Sequence, residues 1–553
     1  MNTERRTQAL IIGATTGGVA AALALARAGV RTLVVERLPW IGGQLTSQAV
    51  PPDENKWIET VGGTRSYQEF RERVRAWYRD NRTLTAEAKG QRHLNPGNGW
   101  VSRLCFEPAI GEGVLRGMLQ PHLASKVLDI VHGYALDGAE VEGDRVRSVR
   151  FSRPGEALTV QAEYVLDATD LGDLYPLAKI EHAIGAESQH DYGEFHAPTG
   201  PANPLDQQAI SWCFAMTHHP GEDHTIARPA RYDFWRAYCP VTTPSWEPSG
   251  KPHPLFSWEI PTHEHTAMRT LSMTPWPDEP TDGAWELWRY RRIVDASLYE
   301  AESRSGGAER APSRDVCLVN WVQMDYWLKP LLGVTPEQHR EALNEAREQS
   351  LCLFYWMQTE CPRHDGGSGY PGLRLCGEPL GTQDGFAQAA YIREPRRLLA
   401  RQMLTEEHLG TAQRRRMGKP HQDATEMGCG ELFPDSVGIG HYRIDLHPSV
   451  SGRGSVYVEA APFRVPLGSL IPIRVRNVVG AGKAIGVSHI ANACTRMHHT
   501  EWNIGESAGV LAAMCLTRGV EPAQVHDSPE LVREYQSLLT AQGVRIRWPW
   551  EPE

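Results

Sequence analysis

Ile11-Ile12-Gly13-Ala14-Thr15-Thr16-Gly17-Gly18-Val19-Ala20-Ala21 decides the fold of this chain. An apolar run, Ala9 to Ile12, leads into it, and an alanine-rich helical stretch carries on to Gly29. A second apolar run, Thr32 to Val35, ends on Glu36. Strand, glycine turn, helix, strand and acid make the unit that holds the adenosine and pyrophosphate of a dinucleotide. Unpaired N–H groups and the dipole at a helix start favour an anion there. Gly13 permits the sharp turn, and Gly17 and Gly18 let strand, helix and ligand approach closely. Glu36 follows at roughly the 20-residue spacing of a ribose-binding carboxylate, and its charge argues against a 2′-phosphate. Thr15 occupies the position where the second glycine of this pattern usually sits.

At 553 residues the chain is too long for one core and predicts two or three domains. The net charge of −10 disfavours nucleic acid as the main partner. No apolar stretch is long enough to span a bilayer, and no signal-like apolar segment precedes the first strand, so no membrane partner is expected. Ten cysteines without a C-x-x-C pair predict neither a disulfide framework nor a metal site, which fits a cytoplasmic protein.

Farther along, helices are expected over Arg65 to Tyr78, Gly111 to Leu119, Glu337 to Glu348 and Thr500 to Cys515. Ala124 to Val160 reads as short strands with turns at Asp137-Gly138 and Gly143-Asp144. A buried strand, Tyr164 to Asp167, ends in Ala168-Thr169-Asp170. Ten of the 17 tryptophans lie between Trp212 and Trp356, where they are expected as core and interface residues. Arg414-Arg415-Arg416 reads as a solvated run. Val475 to Gly482 is a strand ending in a glycine turn, and Gly505, Ala508, Gly509 and Ala512 put small residues on one helical face.

These segments resemble a known family, the FAD-dependent oxidoreductases of glutathione-reductase-like Rossmann type, in the subgroup related to fumarate reductase and succinate dehydrogenase flavoproteins. The likeness takes in Trp40-Ile41-Gly42-Gly43, Leu166 to Asp173, Asn320-Trp321, Asp325-Tyr326, Asp384 to Ala387, Tyr391 to Arg397, Phe433 to Gly438, Tyr442 to Pro448 and Gly480 to Gly509. It implies an α/β fold: a Rossmann-type FAD-binding domain from the N- and C-terminal segments, with an inserted α+β substrate or cap domain. The boundaries expected are 1–190 and 431–518 for the FAD-binding domain, 191–430 for the cap and 519–553 for a C-terminal tail. The resemblance implies that Gly13, Gly18 and Glu36 hold the adenosine diphosphate half of FAD. Gly42, Gly43 and Ala168-Thr169 line the cofactor, and Gly482 touches its ribityl and pyrophosphate side. Thr15, Thr16, Gly17, Arg37 and Gln44 complete that set, with Asn503 and Ile504 of a helix whose N-terminus faces the flavin's pyrimidine edge.

Catalysis calls for a group that handles a proton beside the flavin, usually histidine. In His441 to His447, strand alternation would put His441, Arg443, Asp445 and His447 on one face. Ser488-His489, Asn492, Arg496, His498 and His499 lie between the glycine turn and the last helix. Arg393 and Arg396 flank Glu394, and an arginine there suits a carboxylate clamp. The catalytic candidates are therefore His447, His489, Asp445, Arg496, His498, His499 and Arg393. The function expected is hydride transfer between a small organic molecule and FAD, with an unidentified electron acceptor or donor. Flavin monooxygenase action and a non-catalytic flavin-binding or electron-transfer subunit are the alternatives.

Overall fold

The computed structural model describes residues 2–274, 285–300, 314–419 and 428–551. At its centre is a seven-stranded sheet. β1 (Asn2–Ile12), β2 (Thr32–Glu36), β3 (Leu128–His132), β4 (Ala135–Glu142), β5 (Arg145–Arg153) and β6 (Glu156–Asp167) lie in the order β3-β2-β1-β6-β5-β4. The seventh strand, Val478–Gly480, pairs with β6 from more than 300 residues away along the chain. β3, β2, β1, β6 and Val478–Gly480 run parallel, while β4 and β5 are antiparallel. Ile12 lies beside Asp167, and Asp167 beside Gly480. The two glycine turns and the Ala168-Thr169 segment therefore emerge together at the carboxyl ends of parallel strands, where such sheets bind ligands.

Two helices seat this edge. α1 (Thr16–Arg27) buries every residue up to Ala26, as its alanine-rich sequence permits. It packs on the helix His498–Arg518, which is buried from His498 to Cys515. The small-residue stripe explains how close they come. A Cβ on Gly505 would stand 2.0 Å from the Gly17 carbonyl oxygen, and one on Gly509 would stand 2.7 Å from that of Ala21. Any larger side chain at these positions would force the helices apart and open the sheet edge.

Residues between β6 and Val478–Gly480 build a second core. Phe214–His218, Arg292–Val294, Val316–Val319 and Leu373–Leu375 form a four-stranded antiparallel sheet. The helix Pro336–Thr359 packs nearby and begins in a capping box between Thr335 and Gln338, one residue before the sequence-based helix at its start and running eleven residues past it at its end. Trp235, Trp246, Trp258, Trp288, Trp321, Trp327 and Trp356 are buried in this core, as aromatic burial energetics favour. Trp276 lies outside the described residues. Beyond the long helix, Pro522–Asp527 and Pro529–Gln542 are helical and Trp548 is buried, so residues 519–551 pack onto the body.

Two local expectations fail. Asp137-Gly138 is no turn. It lies inside β4, where the pairing with β5 shifts register, whereas the turn expected at Gly143-Asp144 does make the hairpin. Arg414 is not solvated. Its guanidinium is buried, 3.1 Å from Glu431 and hydrogen-bonded to the Glu407 carbonyl, so a charge run concealed a structural cation.

Candidate active site

The sheet edge forms a cradle. Gly13 has φ +90°, a backbone state that disfavours a side chain. A Cβ on Gly17 would meet the Ala481 carbonyl oxygen at 2.1 Å, and one on Gly18 that of Gly13 at 2.0 Å. Thr15 caps α1: its Oγ1 accepts from the Gly18 N–H at 3.3 Å and donates to the Ala168 carbonyl at 2.6 Å. The hydroxyl thus ties α1 to the end of β6, a link that glycine cannot make. Thr16 Oγ1 donates to the Gly42 carbonyl, and Gly42 and Gly43 turn with φ of +108° and +55°. Glu36 accepts from the N–H of Ala14 at 2.6 Å and of Leu38 at 2.8 Å. Burial raises its pKa, partly offset by those two N–H groups. Gly13, Thr15, Glu36, Arg37, Gly43 and Thr169 line one cavity together.

An acid intrudes on this cradle. Glu501, one turn into the helix His498–Arg518, places Oε1 3.5 Å from the Gly17 N–H and accepts from Gln44. Lys483, buried just past the second glycine turn, pairs with Asp170 at 2.8 Å and donates to the Ile392 carbonyl at 2.9 Å. Burial pushes the Glu501 pKa up to about 7. Lys483 opposes the rise, and Asp170 adds to it.

Beside the cradle is a second cavity of about 150 Å³. Its walls come from distant parts of the chain: Asp53, Arg269, Arg291, Trp321, Tyr391, Arg393, Tyr442, Asp445, His447, Tyr457 and Arg496 among them. One strip of bonds joins the two cavities. Gln44 donates to the Arg496 carbonyl, Arg496 donates to the Tyr391 hydroxyl, and Lys483 lies 5.9 Å from the Tyr391 ring.

His447 is held between two carboxylates. Its Nδ1 is 2.6 Å from Asp325 Oδ2, and its Nε2 is 3.5 Å from Asp445 Oδ2. Asp325 is itself fixed by Arg393 at 3.0 Å and by the Ser211 hydroxyl at 2.7 Å, and Asp445 by Arg496 at 3.3 Å. Burial and Arg393 push the His447 pKa down, but Asp325 and Asp445 outweigh them, so the net shift is upward. Burial alone would raise both aspartates. Arg393 and His447 turn Asp325 downward, and His447 and Arg496 do the same for Asp445. Both ring nitrogens thus lie against carboxylates, closely at Nδ1 and loosely at Nε2, an arrangement that favours the protonated ring.

Of the sequence candidates, His447, Asp445, Arg496 and Arg393 meet in this cavity. His498 stands behind it: its Nδ1 accepts from the Asp53 N–H at 3.1 Å, and burial drives its pKa well below the ordinary value. His499 is buried, and burial, with His441 adding, lowers its pKa to about 3. His489 is elsewhere. It is enclosed against Glu187 at 2.7 Å, which also holds Arg397, and it lines neither cavity. Asn503 spends its amide on the backbone of Ile439 and Val437 in the strand Ser436–Gly440, and Ile504 is buried core, so neither lines a cavity. Gly482 lies against Ala168, where a Cβ would be 3.5 Å from its Cα.

The expected alternation over His441 to His447 holds only in part. The strand is Ile444–Leu446, and before it the chain is not extended in a ladder. Tyr442, assigned to the far face, lines the cavity, whereas His441 packs on Trp57 and Arg443 pairs with Glu459. Sequence reasoning passed over Asp325, Asp53, Arg291, Lys483 and Glu501. Asp325, Lys483 and Glu501 lay in blocks already singled out, and a histidine in need of a carboxylate partner was the available signal for the first.

A parallel sheet with a glycine cradle, next to a cavity with a paired histidine, defines a dinucleotide-dependent oxidoreductase. The chain belongs to the FAD dependent oxidoreductase family, whose family model matches residues 8–539. FAD is its cofactor, and the cradle fits it: Gly13, Gly17 and Gly18, carrying no side chain, let the end of β6, the start of α1 and the second glycine turn close on one another around the cavity that Gly13, Thr15, Glu36 and Thr169 line. The match names the family as a whole and not its fumarate reductase branch. No curated protein matches the chain. Among solved structures, a geranylgeranyl bacteriochlorophyll reductase-like protein from Thermoplasma acidophilum is 10% identical, with 98% of this chain and 85% of that chain covered and a TM-score of 0.34. The myxobacterial chondrochloren halogenase CndH is 10% identical over 96% and 79%, with a TM-score of 0.35. L-proline dehydrogenase from P. horikoshii is 13% identical over 34% of this chain, which spans only 26% of that protein, with a TM-score of 0.18. Among the described residues no helix is long and apolar enough to cross a membrane.

Proposed function

We propose that this protein transfers hydride between a small organic substrate and FAD, with His447 holding or moving the accompanying proton at Nε2. The observation that carries the reading is the placement of the His447–Asp325 pair in a cavity tied to the cradle through Arg496, Tyr391 and Gln44. When bound, FAD supplies the hydride acceptor or donor. Gly13, Thr15, Gly17, Gly18, Glu36, Arg37, Gly43 and Thr169 would hold it, with Lys483 offsetting negative charge at the cradle.

The chain's own residues divide the remaining work. Asp325 orients the imidazole through Nδ1 and stabilises its charge, the role a carboxylate plays behind a catalytic histidine. Nε2, with only a long contact to Asp445, is the nitrogen left to face a substrate. Arg393 and Ser211 keep Asp325 in place, and Arg496 does so for Asp445. Trp321, Tyr290, Tyr442 and Tyr457 wall the cavity and exclude water.

Anaerobic mixing of the FAD-loaded protein with candidate small molecules, followed by loss of the flavin absorbance band, tests the reading. At least one candidate should bleach the flavin, and His447→Gln should slow bleaching by about 10²–10⁴-fold without loss of bound FAD. Unchanged bleaching by His447→Gln would remove the histidine from the mechanism, and a panel with no bleaching at all would remove the hydride transfer.

A further inference from the structure

Away from both cavities, the strand Phe214–His218 of the second core runs out into His219-Pro220-Gly221-Glu222-Asp223-His224. Pro220 and Gly221 take the central positions of a β-turn. Gly221 has φ +81°, and the Glu222 N–H donates to the His219 carbonyl at 3.1 Å. The segment is tied at both ends to a neighbour: the His219 N–H donates to the Gly372 carbonyl at 2.8 Å, and the His224 N–H to that of Pro371 at 2.8 Å. That joint has no slack, since a Cβ on Gly372 would lie 2.3 Å from the His219 carbonyl oxygen. The backbone so fixed brings three side chains to one point. Glu222 Oε2 is 2.6 Å from His224 Nε2 and 3.6 Å from His219 Nδ1, and one ligand atom from each residue lies within 4.8 Å of the other two. The remaining ring nitrogen of His219, Nε2, is 3.0 Å from the Thr217 hydroxyl. The other such convergence among the described residues, Glu59, Glu72 and His93, is already neutralised by Arg71 and Arg75.

We propose that His219, Glu222 and His224 bind a divalent ion of the zinc type through Nδ1, a carboxylate oxygen and Nε2, with water completing the shell. Two imidazoles and a carboxylate are a donor set for such an ion. With Nε2 donating to the Thr217 hydroxyl, the Nδ1 lone pair of His219 is left for the metal. A hydrogen bond behind a ligating histidine fixes its tautomer and ring orientation in this way. Tetrahedral bonds set neighbouring ligand atoms roughly 3.3 Å apart, so the contact between Glu222 and His224 must open by less than an ångström. The Glu222 side chain is 51% exposed and free to give that distance. Arg314 and Arg374 are near enough to act on the charge of His219. They oppose an ion held by charge alone, as magnesium and calcium are, and favour one that bonds imidazole nitrogen. No cysteine takes part, so the missing C-x-x-C pair, which excludes a thiolate site, has no bearing here. None of the three ligands lines either cavity. The ion locks the turn that sits on Pro371 and Gly372, ahead of the strand Leu373–Leu375, and stands apart from hydride transfer.

Calorimetric titration of tag-free, chelator-treated, FAD-loaded protein with zinc chloride tests this. One zinc per chain should bind with a Kd of about 1 µM or tighter, and excess magnesium or calcium should not displace it. His219→Ala and His224→Ala should each weaken binding about 100-fold or more. Thr217→Val keeps all three ligands and should weaken it about tenfold. Unaltered flavin content in each variant shows that the chain still folds. The zinc-edge absorption spectrum of the unmodified protein should show two imidazoles, a readout that needs no variant. Weaker binding (an adventitious ion only), tight binding that either histidine variant retains, or a spectrum without imidazole would overturn the proposal. These measurements need no turnover, so their outcome and that of the bleaching experiment are independent.

Discussion

The two cavities are linked through Gln44, Arg496 and Tyr391, yet they are made of different material. The cradle is backbone. Strand ends, three crowded glycines and the first turn of α1 form it, and its few side chains, such as Thr15 and Glu36, mostly hold backbone N–H and C=O groups in place. The neighbouring cavity is side chains. Arginines, aspartates, tyrosines and two histidines come from segments as far apart as Asp53 and Arg496, and Arg291, Arg393, Arg496 and His447 each pair with a carboxylate. A backbone site tolerates little change in shape, whereas a side-chain site responds to changes in charge.

The hardest blow to the cradle should be Gly17→Val. Its Cβ would fall 2.1 Å from the Ala481 carbonyl oxygen, and the strand end must move. With overpacking strain of ~1–3 kcal/mol at the binding surface, FAD affinity should drop about 10- to 100-fold, read as flavin absorbance co-eluting with the protein. Full retention of FAD would mean that backbone shape does not make this site.

Glu501 sharpens the contrast, for its side-chain charge reaches the backbone N–H of Gly17 at the start of α1. The groups facing it are Lys483, Asp170, Gln44 and the Gly17 N–H. With its pKa raised to about 7, chiefly by burial, the carboxyl is neutral below that pH and anionic above it. An anion at the Gly17 N–H opposes a diphosphate, so FAD affinity should weaken as pH rises past about 7, by up to about tenfold per pH unit. Glu501→Gln should flatten that slope in a fluorescence titration of FAD, and parallel slopes for the two proteins would reject the coupling.

The smallest effect is expected at Arg443. The sequence pattern grouped it with Asp445 and His447, but it pairs with Glu459 and both side chains are well exposed. Arg443→Ala should change stability by no more than the ~0–1 kcal/mol of an exposed pair and leave flavin bleaching at its original rate. A large fall in rate would extend the side-chain site beyond the cavity drawn here.

Legibility in the sequence follows the same division. The strand–turn–helix from Ala9 to Arg27, Glu36 and the Gly480–Gly482 turn could be read because each is a local pattern with one geometric purpose. Thr15 looked like a departure from the glycine pattern and turns out to cap α1 and bind β6. His489, Asn503 and Arg414 could not be placed from sequence. Each is a polar residue whose partner, Glu187, Ile439 or Glu431, is remote or unremarkable in the chain. The alternation from His441 onward failed where the strand had not yet begun.

By itself, then, the order of residues determined a dinucleotide cradle, an inserted tryptophan-rich second core and the small-residue face that lets two distant helices touch. Spacing along a strand or helix is a property of the chain, and the backbone obeys it locally. Only the tertiary structure decided that His447 would meet Asp325, that Arg291, Arg393 and Arg496 would share one small space, and that Glu501 would stand at the Gly17 amide. Those pairings depend on which enclosed charge finds which partner across hundreds of residues, and burial, which makes an unpaired charge so costly, is created only when the chain closes on itself.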